Sequence, residues 1–301
     1  MRARHERAIV KSGEALIAAP GEEDLRTDIR AALNAAETTS SRAMSLTECG
    51  GEYMDIIDKR ALGVKESMTT GFPSMDSVVG FTRKALVVIG ARTSKGKSAL
   101  LLKLAYLFSK RGLKVLFVSA EMTRTEFMDR LTAIKTGIEL WRLRKDGGKE
   151  RMSDVTAAVT ELARLPIHIE EGGKFTMSRI AAAVETVRPD VVVVDYIQRF
   201  SLPNKQESRA AFFSDIANGL KSLAMEKNIL VMAASQLNRE LEHRIVKTPS
   251  LADLKESGGI EEAADVVILI HAADSGEFGV RMVDLIVAKN RNGACAKSRA
   301  S

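Results

Sequence analysis

The densest chemistry in this chain sits at Gly90-Ala91-Arg92-Thr93-Ser94-Lys95-Gly96-Lys97-Ser98, directly after the apolar run Ala85-Leu86-Val87-Val88-Ile89. A strand that runs into such a turn and then into a helix, Ala99 to Ser109, aims backbone N–H groups and the positive end of the helix dipole at one point. A phosphate fits there. Residues Ala91 to Ser98 would wrap the phosphates, Lys97 would reach the β- and γ-phosphates, and the Ser98 hydroxyl would ligate Mg²⁺. The sequence therefore predicts a site for a nucleoside triphosphate. The general pattern opens with Gly where this chain has Ala91, with Gly90 just before it. The alternative is a chance match in a surface loop, and the strand–loop–helix context weighs against it.

Such a site needs a carboxylate for Mg²⁺ and a group that activates the attacking water. Asp195 closes the apolar run Val191-Val192-Val193-Val194, the place for a metal-holding aspartate; a helix or turn cap is the alternative. Glu121 follows another run, Val115 to Ala120, and is the candidate general base, with a helix-capping role near Arg124 as the alternative. Gln236 follows a third run, Ile229 to Ala234, and is placed to sense the γ-phosphate. In a parallel sheet all these strand ends open on one edge.

The elements that must position these residues are legible from about residue 68 onward. Strands are expected at 85–90, 114–119, 166–170, 190–195, 229–234, 265–271 and 282–288, and helices at 97–110, 123–136, 152–164, 177–187 and 208–226. Continuous Val/Ile/Leu runs suit central parallel strands covered on both faces. The expected fold is α/β: a mainly parallel sheet with helices on both faces. Residues 1–67 read as a short helical extension and linker, and 68–301 as the main domain. In the extension, Leu25, Ile29 and Leu33 recur at helical spacing, Ser45-Leu46-Thr47-Glu48 has the form of a capping box, and a second helix is expected around Tyr53 to Leu62.

Composition sets bounds. The 301 residues are 45% apolar, enough for a sizeable core, and the net charge of +6 is compatible with a polyanion partner. Cys49 and Cys295 form no metal-binding spacing and no disulfide framework, which suits a reducing, cytoplasmic setting. No run of 18 apolar residues exists, so no membrane partner is expected, and no signal-peptide-length apolar stretch follows Met1-Arg2-Ala3-Arg4-His5. Aromatic residues are only 5%, against a stacking-rich single-strand groove. Trp141, with Leu140 and Leu143, is expected to be a packing anchor, His168 a core or edge histidine, and Arg144 to Arg151 a solvated turn.

Taken together, the motifs resemble the DnaB-type replicative helicases of the RecA-like P-loop superfamily. The matching segments are Thr70-Gly71-Phe72, Ala91-Arg92 with Gly96-Lys97-Ser98, Ser119-Ala120-Glu121-Met122, Asp195-Tyr196-Ile197-Gln198, Ser235-Gln236-Leu237-Asn238-Arg239, Asp253-Leu254-Lys255-Glu256-Ser257-Gly258 with Ile260-Glu261, and Lys289-Asn290-Arg291-Asn292-Gly293. They occur in the family's order across residues 70–293, and Ala91 is common there.

The resemblance implies a RecA-like fold, ATP and Mg²⁺ as cofactors, and ATP-driven unwinding by a homo-oligomer, a hexameric ring on single-stranded DNA. It implies Glu121 as catalytic base, Asp195 as metal-holding acid, Gln236 as sensor, and Lys289 with Arg291 as the pair reaching into a neighbouring subunit's site, Arg291 being the arginine finger. Read without the family, Lys289 and Arg291 would form a solvated hairpin tip. Lys255, Glu256 and Gly258 match a loop that holds a DNA backbone, with Lys255 where the family more often has Arg. The polar stretch Arg239 to Lys247 is either channel lining or an ordinary loop.

Family members carry a larger helical domain, which in bacteria contacts primase; about 45 residues precede the matched region here, so a short form or a piece of a longer chain is implied, with primase or a loader as possible partners. Members also continue past the Arg-Asn-Gly turn into another strand, whereas Ala294 to Ser301 is small and polar, so the hairpin holding Arg291 is expected to be incomplete. Two other functions stand beside the helicase: a strand-exchange or DNA-binding ATPase that forms filaments, and a regulatory ATPase that keeps the pocket as a switch.

Overall fold

The computed structural model describes residues 45–63, 67–93, 95–173, 175–200, 208–238, 244, 248–254, 258–272 and 283–300. The helix expected from Leu25, Ile29 and Leu33, and the residues Ser94, Lys255 and Glu256, lie outside them. Two compact units divide between Lys65 and Glu66.

In the first unit, α1 (Leu46–Ala61) is one helix. The expected start near Tyr53 is thus corrected: the helix runs through Gly50 and Gly51, with Cys49 N–H already donating to the Ser45 carbonyl at 3.0 Å. Two glycines cost a helix about 2 kcal/mol of propensity, which a 16-residue helix can absorb.

The second unit is an eight-stranded sheet in the order β3-β2-β4-β5-β1-β6-β7-β8. The strands are β1 (Leu86–Ala91), β2 (Val115–Ser119), β3 (Ile167–Glu171), β4 (Val191–Asp195), β5 (Leu230–Gln236), β6 (Val266–Ala272), β7 (Val283–Asn290) and β8 (Ala296–Ala300). The first six in spatial order, β3 to β6, are parallel; β7 and β8 add antiparallel. The parallel core has the reason the sequence suggested: β1, β2 and β4 are buried at every position. Side chains alternate between faces. Val87, Ile89 and Ala91 join one core with Leu101, Leu104 and Phe108 of α3 (Lys97–Lys110) and Phe127 and Leu131 of α4 (Arg124–Thr136). Leu86 and Val88 join the other, with Ile180 and Val184 of α7 (Met177–Val187) and Phe213, Ala217 and Leu220 of α8 (Arg209–Lys227). Four shorter helices complete the described set: α2 (Pro73–Asp76), α5 (Leu140–Asp146), α6 (Met152–Leu162) and α9 (Gly258–Ala263).

The structure corrects two expectations here. The hairpin that carries Arg291 is complete, because β8 pairs with β7 from Val283–Ala300 to Val287–Ala296. Small and polar residues suffice for this strand, since an edge ladder is built from backbone groups. Trp141 is not a packing anchor: it is 56% exposed. It lies on α5, a seven-residue helix with no buried residue, where its indole N–H donates to Glu139 Oε2 at 2.9 Å and the Arg142 guanidinium lies 5.3 Å from the ring centre. The charged stretch after it is part helix and part turn, α5 closing at Gly147 (φ 70°) and a 3₁₀ turn following at Lys149–Arg151. His168 sits exposed on the edge strand β3.

The non-motif end of the sheet is tied by Asp190. Its carboxylate accepts from Arg83 at 2.5 Å and from the Lys114 N–H at 2.8 Å, joining the approaches to β1, β2 and β4. Burial alone would raise its pKa, but the Arg83 and Lys114 contacts outweigh that and hold it below the usual aspartate value. A lowered folded-state pKa means stability present above the unfolded-state value and lost as pH falls through the folded one. Asp190→Ala is therefore expected to cost about 1 kcal/mol at pH 7, discounted for partial exposure. Urea unfolding at pH 7 and in acid checks this: the gap between wild type and variant closes in acid.

Candidate active site

Parallel registry brings the candidate residues together. Ala91 at the end of β1 lies beside Gln236 at the end of β5, and Ser119 at the end of β2 lies beside Asp195 at the end of β4. The four strand ends share one edge, and Ala91, Arg92, Thr93, Lys95, Gly96, Lys97 and Ser98 cross it between β1 and α3.

The turn is shaped by Gly96, whose φ of 90° puts it in the left-handed region at the cap of α3. A Cβ there would meet nothing within 4 Å, so the requirement is one of backbone conformation alone. Gly90 sits tightly for a different reason, against leucine side chains that a Cβ would displace. A Cβ built on it would lie 2.8 Å from Leu269 Cδ2 and 3.1 Å from Leu237 Cδ2.

Lys97 opens α3, and its ammonium lies 4.2 Å from the centre of the Tyr196 ring. Burial pushes its pKa down, and the charges of Asp195 and Glu121 pull it back up. Asp195 is 3% exposed. Burial pushes its carboxyl up, opposed by a hydrogen bond from Ser98 and by the Lys97 charge. Asp195 Oδ1 is buried and has no hydrogen-bond partner among the described residues. A buried carboxylate oxygen with unused lone pairs, joined to a hydroxyl, is a donor set that suits a hard cation such as Mg²⁺, which takes few protein oxygens and shares the rest with phosphates. Asp195 and Ser98 would hold that ion.

Glu121 sits two residues past β2 in a turn fixed by Ser119, whose hydroxyl donates to the Met122 carbonyl at 2.8 Å and accepts from the Met122 N–H at 2.9 Å. It does not cap a helix. The cap of α4 is Thr123, in a reciprocal box with Glu126. Glu121 is instead paired with Arg199, 2.6 Å from Nη2.

Gln236 touches the turn directly: its Nε2 donates to Thr93 Oγ1 at 2.9 Å. Its backbone N–H donates to Gln198 Oε1 at 3.2 Å, and Gln198 Nε2 donates to Ser235 Oγ at 2.9 Å. From here backbone bonds lead on. Leu237 N–H donates to the Ala91 carbonyl at 3.1 Å, and Asn238 N–H to the Asp253 carbonyl at 2.7 Å, just before residues 255–257. Gly258, exposed, begins α9, which lies against α8 so closely that a Cβ on Gly259 would fall 2.9 Å from the Ser214 Cα.

Lys289 and Arg291 stand apart from this edge. Both are held at the carbonyl end of α9: Lys289 Nζ donates to the Glu261 carbonyl at 2.5 Å, and Arg291 Nη2 to the Glu262 carbonyl at 2.7 Å. Arg291 also pairs with Asp265 at 3.3 Å. Cations belong at a helix carboxyl end. In the ladder, Asn290 lies opposite Val266, which pairs with Val87 near the start of β1. The six residues of β1 therefore separate Arg291 from the turn of its own chain, a distance of about 16 Å.

The sequence reading missed Tyr196, Gln198 and Arg199 as individual contributors. The signal was present: all three follow Asp195 within the quoted Asp195-Tyr196-Ile197-Gln198 segment or directly after it. Ile197, fully buried, pins a 3₁₀ turn that sends Gln198 towards β5 and Arg199 towards Glu121.

Residues 67–300 match the model of the DnaB-like helicase C-terminal domain. The chain belongs to this family. It is 35% identical over 261 residues to the replicative DNA helicase DnaB of Leifsonia xyli, covering 82% of this chain and 57% of that protein. It is 32% identical over 237 residues to the DnaB of Geobacillus stearothermophilus, covering 74% and 52%. The chain thus spans about half the length of the curated relatives it matches. Among solved structures, a DnaB-like replicative helicase described with its interactions with primase superposes with TM-score 0.75 at 25% identity, over 99% of this chain and 74% of that one. A solved ATPase domain superposes with TM-score 0.76 at 27% identity, over 83% and 93%. The expected RecA-like α/β fold stands. Among the described residues, no helix is long and apolar enough to cross a membrane.

Gly96→Ala is expected to destabilise the fold by about 1 kcal/mol, since the only cost is an alanine forced to positive φ. Urea unfolding without nucleotide measures it.

Proposed function

We propose that this chain is the motor domain of a replicative-type DNA helicase. It hydrolyses ATP with Mg²⁺ at the interfaces of a homo-oligomeric ring, a hexamer, and steps along single-stranded DNA. The observation that carries this reading is the separation of Arg291 and Lys289 from the P-loop of their own chain. Lys97, Ser98, Asp195, Glu121 and Gln236 make up most of a phosphoryl-transfer site, but the finger that such chemistry uses stands a strand length away. A second copy of the chain would supply it.

The roles follow from position. Lys97 leaves the Tyr196 ring to neutralise β- and γ-phosphate charge. Bound Mg²⁺ supplies charge neutralisation at the phosphates. Glu121 takes a proton from the attacking water, and Arg291 of an adjacent subunit steadies the charge that develops. Gln236 reports the γ-phosphate from Thr93, through Leu237 and Asn238, to Asp253. Lys255, Glu256 and Gly258 follow directly, and their proposed partner is a DNA phosphate rather than a base. A primase or loader is proposed as a further partner, on the strength of the solved neighbour described with primase.

The test mixes two inactive variants. Lys97→Ala and Arg291→Ala are each expected to lose activity by roughly 10³-fold. Mixed rings contain interfaces that join an intact Lys97 site to an intact Arg291, and those regain ATP hydrolysis. Absence of rescue, with mixed particles confirmed by mass, would place Arg291 outside the site.

A further inference from the structure

The one carboxylate proposed to act as base is already engaged. Two guanidinium nitrogens of Arg199 converge on a single oxygen, Glu121 Oε1: Nη2 at 2.6 Å and Nε at 3.2 Å. Tyr196 completes the group. Its ring lies 5.7 Å from the Arg199 guanidinium carbon and 4.2 Å from Lys97 Nζ. The arrangement is built rather than incidental. Ile197, fully buried, anchors the turn, and Arg199 N–H donates to the Tyr196 carbonyl at 3.1 Å.

A general base works by taking a proton on a carboxylate oxygen. When Glu121 does so its charge is gone, and with it the ion pair to Arg199. Proton transfer to Glu121 therefore works against the ion pair, and the barrier rises by up to the pairing free energy. We infer that Arg199 is a positioning residue that restrains hydrolysis by holding Glu121 in an ion pair that must break before the base can act. This rests on the reading of Glu121 as the base.

The pair is nearly half exposed on both sides, 47% for Arg199 and 45% for Glu121. Exposed pairs of this kind are weak, so the restraint is a modest one, worth about two- to five-fold in rate. The same exposure means that its removal leaves the core untouched.

The experiment measures steady-state ATP hydrolysis by the full chain without DNA. Arg199→Gln is expected to raise kcat about two- to five-fold with KM unchanged, because phosphate binding does not run through Arg199. Arg199→Lys, which keeps a cation beside Glu121, is expected to return kcat close to wild type. The double variant Glu121→Gln/Arg199→Gln should be as slow as Glu121→Gln alone, showing that the gain passes through the base. A kcat for Arg199→Gln that is unchanged or lowered, with the melting temperature kept, overturns the restraint. A Glu121→Gln variant that hydrolyses ATP at the wild-type rate overturns the base assignment instead, which separates the two failures.

Discussion

The constraint on which the rest depends is that β2, β4, β5 and β1 run parallel and in register. Backbone hydrogen bonds fix Ser119 beside Asp195 and Ala91 beside Gln236. Glu121, Asp195, Gln236 and the P-loop therefore arrive on one edge without any side chain having to steer them. The strands can sit side by side because they are apolar on both faces, and helices cover both. Placement of the chemistry is thus a consequence of core packing.

Burial of the sheet edge also tunes the charges. Asp195 at the end of a buried strand and Lys97 at the start of α3 are both partly removed from water, and each offsets part of the other's desolvation. Charges so placed would meet an anionic phosphate and its metal with little solvent to displace. Glu121 and Arg199 are farther out, in water, where pairing is weak and readily exchanged. The site is buried where a metal would sit and half exposed where a proton would move.

At the other end of the sheet, α9 ties two regions together. Its first residue, Gly258, follows the segment proposed for DNA, and its last carbonyls hold Lys289 and Arg291. The close approach at Gly259 seats this six-residue helix on α8. Gly258 and Arg291 are thereby joined through one short helix. Arg291 in turn is fixed by β7 and by its partner strand β8.

The sequence by itself determined the alternation of strands and helices, the location of the P-loop, and the carboxylates and glutamine at strand ends. These are local properties, written in apolar runs and in the residue types that terminate them. It also carried the family, through motifs in order. It did not carry what depends on contacts between distant segments. The pairing of Glu121 with Arg199 spans two strands, and the bridge from Gln236 to Thr93 spans two others. The exposure of Trp141 follows from the small size of α5, which no hydrophobic pattern records. The strand β8 was misread because edge pairing uses backbone groups that every residue has. Above all, only the tertiary structure decided at which end of the sheet Arg291 lies, because that follows from the antiparallel pairing of β7 with β6, which leaves no trace in composition or spacing.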